Sequence, residues 1–376
     1  MSEYQYYEFQ AIDRPLNKPA QKNLRDLSSR AQITATSFTN TYQWGDFKGD
    51  PDAMMEEWFD LHLYLANWGT HRLMMRVPKR LVDMRVVKAC LVDSDFAKAR
   101  VAGEHLILDI RLDELETDWD EGPGILASMA PLRADLLGGD QRLLYLVWLM
   151  AVEFELVSED TPEPLPGLGP MTDALQAFAG FFCIDPGLIE AAAERDGVVG
   201  TDSISADAAR ETISGLSDRE KIEFLSRLFE RDPLASAELR AEVRNRLCDG
   251  SVTKQAPSRT AGELRARAEA IRDEREQEAA RLEAEVQERL AREEDARRRE
   301  RLLAVARRGE GVWRDVEAEI QRANATSYGR AVDWLLDLRA VAEERDVLPD
   351  FSRRLSEIRE RHARKVRFLE RIEDLV

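Results

Sequence analysis

The spacing of apolar positions changes several times along the chain, and each change marks a different element. In Tyr4–Ile12, Tyr7, Phe9 and Ala11 alternate with Tyr6, Glu8, Gln10 and Ile12, which predicts a strand with one apolar and one mixed face. Pro15 restricts Arg14 and stops the ladder. A short helix is expected from near Pro19, with Ala20, Leu24 and Leu27 at helical spacing. The stretch AQITATSFTNTYQW sets Ile33, Ala35 and Ser37 against Thr34, Thr36 and Phe38, and its threonines favour a second strand. After a loop marked by Gly45, Gly49 and Pro51, Asp50 or Asp52 is placed to cap a helix through DAMMEEWFDLHLYLANW. Its stripe is Met54, Met55, Trp58, Leu61 and Leu65, and Gly69 ends it. HRLMMRVP and EHLILDIRL read as further strands. This order predicts a sheet covered on one face by helices, loosely ferredoxin-like.

From about residue 132 the period becomes helical. PLRADLLGGDQRLLYLVWLMAVE reads as a helix broken at Gly138-Gly139, its second half apolar on nearly all sides and therefore a core element. SEDTPEPLPGLGP has the Pro/Gly density of a boundary loop. Two short helices split at Asp185-Pro186 follow, and then DREKIEFLSRLFE, amphipathic through Ile222, Leu225, Leu228 and Phe229. LASAELRAEVRNRL extends the series until CDGSVTKQAPSR breaks it. From about 260 to 304 the chain is an almost uninterrupted Glu/Arg/Ala helix. Ala268, Ile271, Arg275, Ala279, Leu282, Val286 and Leu290 recur at an eleven-residue repeat with one polar member. Glu285–Arg289, Glu288–Arg292, Glu293–Arg297, Glu294–Arg298 and Asp295–Arg299 offer acid-first pairs four apart, each contributing roughly 0.2–0.5 kcal/mol. In the tail, Trp313, Val316 and Ile320 line one helix, and Tyr328, Ala331, Leu335, Leu338 and Val341 a second. Leu355, Ile358, His362, Val366, Leu369 and Ile372 line a third, with His362 a hydrogen-bonded packing residue.

The fold class is α+β: an N-terminal mixed α/β head, then a mostly α-helical region with a long charged helix and a small C-terminal helical bundle. The expected divisions are a head over 1–155, a linker over 156–170 and a helical middle domain over 171–250. A charged helical or coiled-coil arm over 258–305 and a three-helix module over 309–376 complete the chain.

Composition adds limits. The chain has 376 residues, enough for two or three domains, and 44% hydrophobic with 34% charged residues describes a folded protein. A net charge of -18 disfavours non-specific attraction to phosphate backbones. The longest apolar run, LLYLVWLMAV, falls short of the ~20 residues a bilayer needs. No signal-like segment opens the chain, so a cytoplasmic location is expected. Cys90, Cys183 and Cys248 stand far apart and give neither a disulfide framework nor zinc spacing, and His62, His71, His105 and His362 form no local metal set.

No Walker A sequence, GxGxxG or GxSxG is present, so no cofactor is implied and no catalytic residue is assigned. Asp13, Asp46, Asp50, Asp60, Asp109 and Asp113 at strand ends and loops raise a Mg²⁺-dependent hydrolase as the least favoured reading. Turn, cap and surface ion-pair roles are the simpler account of them. The aromatics Tyr6, Tyr42, Trp44, Phe47, Trp68 and Trp119 sit at strand ends or loops, a placement shared by core rims and binding hot spots. The candidate partner-binding residues are Tyr6, Asp13, Arg14, Tyr42, Trp44, Phe47 and Trp68.

YYEFQAIDRPL, FTNTYQWGDFKGDPD and HLYLANWGTHRLMMRVP resemble the head of a group of uncharacterised bacterial proteins. The tail from WRDVEAEIQ to FLERI is similar to the C-terminal helices of some bacterial proteins with a SWIM-type zinc finger. The finger's CxC and CxH ligands are absent, so its zinc and nucleic-acid roles do not carry over. The resemblance implies no reaction. The leading expectation is a non-catalytic adaptor or scaffold subunit of a bacterial complex, acting through protein–protein contacts of head and arm, with homo-oligomerisation through 258–305. The alternative is a nucleic-acid-associated or phage-defence accessory factor, resting on the tail likeness and the Arg-rich stretch 297–308.

Overall fold

A computed structural model describes residues 3–92, 94–116, 122–195, 205–248 and 259–375. The chain divides into two compact units, Met1–Glu274 and Arg275–Val376.

The first unit is built on an antiparallel sheet. Its elements run β1 (Gln5–Gln10), α1 (Lys18–Leu27), β2 (Gln32–Ile33), β3 (Ser37–Tyr42), α2 (Pro51–Glu57), β4 (Leu61–Ala66), β5 (His71–Pro78), α3 (Met84–Leu91), β6 (Ala97–Ala102) and β7 (His105–Leu112). The strand order is β2-β3-β1-β4-β5-β7-β6, with every neighbouring pair antiparallel. Likeness to a ferredoxin fold stops at the mixture of antiparallel strands and covering helices. Further helices follow: α4 (Ile125–Met129), α5 (Pro131–Gly138), α6 (Arg142–Glu153), α7 (Asp173–Phe181), α8 (Pro186–Ala193), α9 (Ala206–Ser214), α10 (Asp218–Phe229), α11 (Ala235–Cys248) and α12 (Ala261–Arg308).

Both faces of the sheet are covered, where the sequence suggested one. Leu61, Leu63 and Leu65 of β4, with Leu73, Met75 and Val77 of β5, meet α3–α8 in the larger core. Phe9, Phe38 and Met74 meet Leu24 of α1 and Met54 and Met55 of α2 in the smaller one. The reason is visible in β1, where Tyr6 turns to the large core while Tyr7 and Phe9 turn to the small one. Neither side is left to water.

The helix expected through residues 52–68 is corrected. It stops at Trp58, and Leu61–Ala66 is a central strand paired with both β1 and β5. Leu61 and Leu65, four apart, satisfy either period. Leu63 on the same face and His62 and Tyr64 on the other select the strand. The long strand read into 31–44 is instead a hairpin, β2 against β3, closed by the Thr34 N–H to Ser37 O bond of 2.9 Å. Strand β6, missed in the sequence, is an edge strand carrying Lys98 and Arg100, the charge that discourages further pairing.

The Gly138-Gly139 break and the Asp185-Pro186 split occur as expected. Gly139 takes φ +93° to cap α5, and Asp185 caps α8 through the Gly187 amide at 2.8 Å. Segment 156–170, expected as a linker, is fixed to the start of α12. Glu163 N–H bonds Arg259 O at 2.8 Å, and Ala261 N–H bonds Thr161 O at 2.9 Å. The fully buried Glu163 carboxylate also takes the Arg259 guanidinium at 2.7 Å and the Tyr145 hydroxyl. Ala261, Leu264, Ala268 and Ile271 join the large core. Most of the CDGSVTKQAPSR break lies outside the described residues.

The second unit contains the remainder of α12, then α13 (Glu310–Arg322), α14 (Ala325–Glu344), α15 (Leu348–Arg361) and α16 (Val366–Arg371). Val312, Val316, Ile320, Leu335, Phe351, Leu355 and Phe368 form its core, which Leu302 and Val305 of α12 help to close. The single third helix of the tail is corrected to two, because α15 ends at Arg361. The turn at 362–365 shifts the stripe's phase, so Val366 faces solvent and Phe368 is buried. His362 packs with Nε2 2.6 Å from Glu317. Among the described residues, no helix is long and apolar enough to cross a membrane.

Candidate functional site

The predicted partner-binding residues separate into two groups at opposite ends of β1. Tyr42 pairs opposite Gln5 at one end, and the loop carrying Trp44 and Phe47 and the β4–β5 turn carrying Trp68 lie there too. Asp13 and Arg14 follow Gln10 at the other. Six strand residues span about 20 Å, so the seven positions do not make one face.

At the Gln5 end, most of the aromatics are packing groups. Tyr6 is 3% exposed, and its hydroxyl donates to Glu8 Oε2 at 2.9 Å. Burial, then the neighbouring Glu8 carboxylate, pushes its pKa up. It is therefore not free to meet a partner. Phe47 rests 5.1 Å from the Tyr7 ring and 5.7 Å from Phe38. The half-buried Tyr42 meets Tyr7 edge-on at 5.9 Å and accepts a hydrogen bond from Asn40 Nδ2 at 2.7 Å. Trp44 is exposed, and Trp68 is half-exposed with its Nε1–H donating to Thr70 Oγ1 at 3.0 Å. Trp119 lies outside the described residues.

At the Gln10 end the chain buries an ion cluster. Asp60 accepts the backbone amides of Ile12 and Asp13 at 2.6 and 2.9 Å through Oδ2, and the Arg76 guanidinium at 2.9 Å through Oδ1. Arg133 of α5 binds Asp13 Oδ2 at 2.6 Å and Arg76 O at 2.8 Å, and lies 3.7 Å from Asp60. Two carboxylates and two guanidiniums cancel, and together they tie the end of β1 to β5 and α5. One acceptor is left over: Asp13 Oδ1 is buried without a hydrogen-bond partner. Asp13 lines two adjoining hollows of 220 and 650 Å³. Arg14, Arg80, His105 and Arg227 also line the larger. Partial burial, then the Arg76 charge, lowers the His105 pKa. The sequence did not single out Arg133 or His105 for this site. A signal for Arg133 existed, since it is a charge inside an apolar helix.

The other acids suspected of a metal site have partners of their own. Asp109 is gripped by Arg72 at 2.7 and 2.8 Å, Asp50 caps α2, and Asp113 accepts from Thr70 and Arg111. Among the described residues, no group of three His, Cys, Asp or Glu is placed to hold a metal ion. His62 is wholly buried, stacked 3.9 Å from Phe9 with Nδ1 3.0 Å from Glu8 O. Desolvation drives its pKa down to about 3, so it stays neutral.

Two helices instead present apolar side chains to solvent. Helix α10 buries none of its residues, and Phe229 is 89% exposed beside Ile222 and Leu225. In α12, residues 275–301 are exposed on every side, including Leu282, Val286 and Leu290. Of the five expected acid-first pairs, Glu288–Arg292 alone is closed among the described residues, while Arg281 bridges Glu278 and Glu285. Compared with protein-family models, with curated proteins and with solved structures, the chain matches none.

Proposed function

We propose that this chain is a non-catalytic adaptor or scaffold whose long helix pairs with the same helix of a second copy. The observation that supports it is the exposed stretch 275–301 of α12, with Leu282, Val286 and Leu290 spaced four apart on a helix that buries none of them. A helix without tertiary packing draws little stability from propensity alone. Pairing removes those three side chains from water. Leu282 and Leu290 lie equally far from Val286, so an antiparallel mate centred on Val286 sets Leu282 against Leu290. Charge favours the same arrangement. Residues 271–285 carry six acids and three bases, and 287–301 five acids and six bases, so antiparallel pairing about Val286 lays the acidic half beside the slightly basic half. The free thiols Cys90 and Cys183 support a reducing, cytoplasmic setting.

Sedimentation equilibrium of the full chain tests this. The expected species is a dimer that becomes a monomer in Leu282→Lys/Leu290→Lys, with the far-UV circular dichroism of the rest retained. A wild-type chain that is monomeric across the accessible concentration range rules the pairing out.

A further inference from the structure

In the second unit, the turn from α13 into α14 and the turn from α15 into α16 enclose a hollow of 510 Å³. Arg364, Lys365, Arg367 and Arg371 line it together with Asn324 and Tyr328, and no carboxylate does. In a chain of net charge -18, where most arginines of known placement hold an acid, this is an exception. Among the described residues, none of the four cations has a carboxylate partner. Lys365 donates Nζ to Ile320 O, and Arg371 donates Nη1 to Ala325 O at 3.0 Å. Carbonyl acceptors fix a cation's position without cancelling its charge. Arg364 and Arg367 are exposed and hold nothing.

The walls are built from packed residues. Tyr328 is 8% exposed and its ring lies 5.6 Å from that of the fully buried Phe368. Asn324 and Ala325, the cap and first residue of the twenty-residue α14, also line the hollow and add the positive end of a helix dipole. We propose that this hollow binds a phosphate group. Several guanidiniums converging without an acid match the several oxygens and fixed charge of a phosphate better than a single carboxylate. The volume falls within the roughly 300–1,000 Å³ typical of small-molecule sites, which leaves room for the molecule that carries the phosphate. That molecule is either a small phosphorylated compound or a nucleic-acid strand. The shared chemistry is the phosphate, and the site stands independently of helix pairing through α12.

Two probes applied to the full chain at low salt distinguish the sources: inorganic pyrophosphate followed by phosphorus NMR, and a short fluorescein-labelled single-stranded DNA followed by anisotropy. Arg364→Glu/Arg367→Glu removes the two exposed cations, and Arg364→Gln/Arg367→Gln neutralises them without reversal. Lys18→Glu/Lys22→Glu, on exposed residues of α1, changes net charge as much as the first variant does. Saturable binding of a probe is expected, weakened about tenfold or more by the Arg364/Arg367 variants and within about twofold of wild type in the α1 control. Pyrophosphate binding alone assigns a small phosphate, and DNA binding assigns a strand. Absence of saturable binding to both probes overturns the site, and so does an equal loss in the α1 control, which reduces the effect to net charge.

Discussion

The ion cluster at the Gln10 end of β1 and the hollow lined by Arg364–Arg371 use arginine in opposite ways. In the first, Arg76 and Arg133 meet Asp60 and Asp13 at 2.9 and 2.6 Å, all four side chains largely out of water. In the second, the cations meet backbone carbonyls or solvent. A guanidinium closed on a carboxylate has used its charge to hold elements together. One placed on a carbonyl still has a charge to offer. The difference separates structural charge from binding charge inside one acidic chain, and substitutions can break it.

The largest effect is expected at Arg133. Arg133→Leu leaves the Asp13 carboxylate in a buried site without its guanidinium while Asp60 keeps Arg76, and breaking a buried pair costs about 3–5 kcal/mol. Urea unfolding of the first unit's tryptophan signal measures it. Adding Asp13→Asn removes the stranded charge, so the double variant recovers part of the loss. If Arg133→Leu shifts the midpoint no more than a surface substitution does, the cluster does not clamp the strands and the comparison fails.

His62 is next. It is buried and neutral with a folded pKa of about 3, whereas unfolded it titrates near 6.5. The unfolded state therefore binds the extra proton as pH falls below 6.5, and the folded state does not. The stability tied to His62 is full above that pH, declines through the window down to about 3, and then levels off. Between pH 7 and 5 this amounts to about 2 kcal/mol, by the 1.36 kcal/mol that each unit carries. His62→Phe keeps a ring against Phe9 and should unfold with a correspondingly flatter pH profile. An unchanged slope would mean that another group supplies the acid sensitivity.

How much of this was legible in sequence depends on how many contacts an element makes along the chain. Strand β1, strand β5 and the α5–α6 break follow local patterns, alternation in the strands and a glycine pair at the break, and were readable. Strand β4 was not, because Leu61 and Leu65 fit a helix and the choice rests largely on β1, which lies beside it in the sheet but far from it in the chain. The candidate site shows the same limit. Asp13 and Arg14 were readable as a strand end, but Arg133 reaches Asp13 across 120 positions of chain. Tyr6 looked free because the pattern marks one face of β1 as mixed. Only the second core reveals that the mixed face is also covered.

The smallest effect is predicted where the comparison is sharpest. Arg364→Glu/Arg367→Glu should leave the urea midpoint of the second unit unmoved, since both side chains are exposed and neither closes on an acid. If these cations were structural, as Arg133 is, reversal would break the contacts that hold them, and the unit would unfold earlier. If they are held for a ligand, reversal removes mutual repulsion among four cations and costs the empty protein nothing. Measured beside phosphate binding, an unmoved midpoint with lost affinity separates binding charge from structural charge. A lowered midpoint with retained affinity would reverse the assignment.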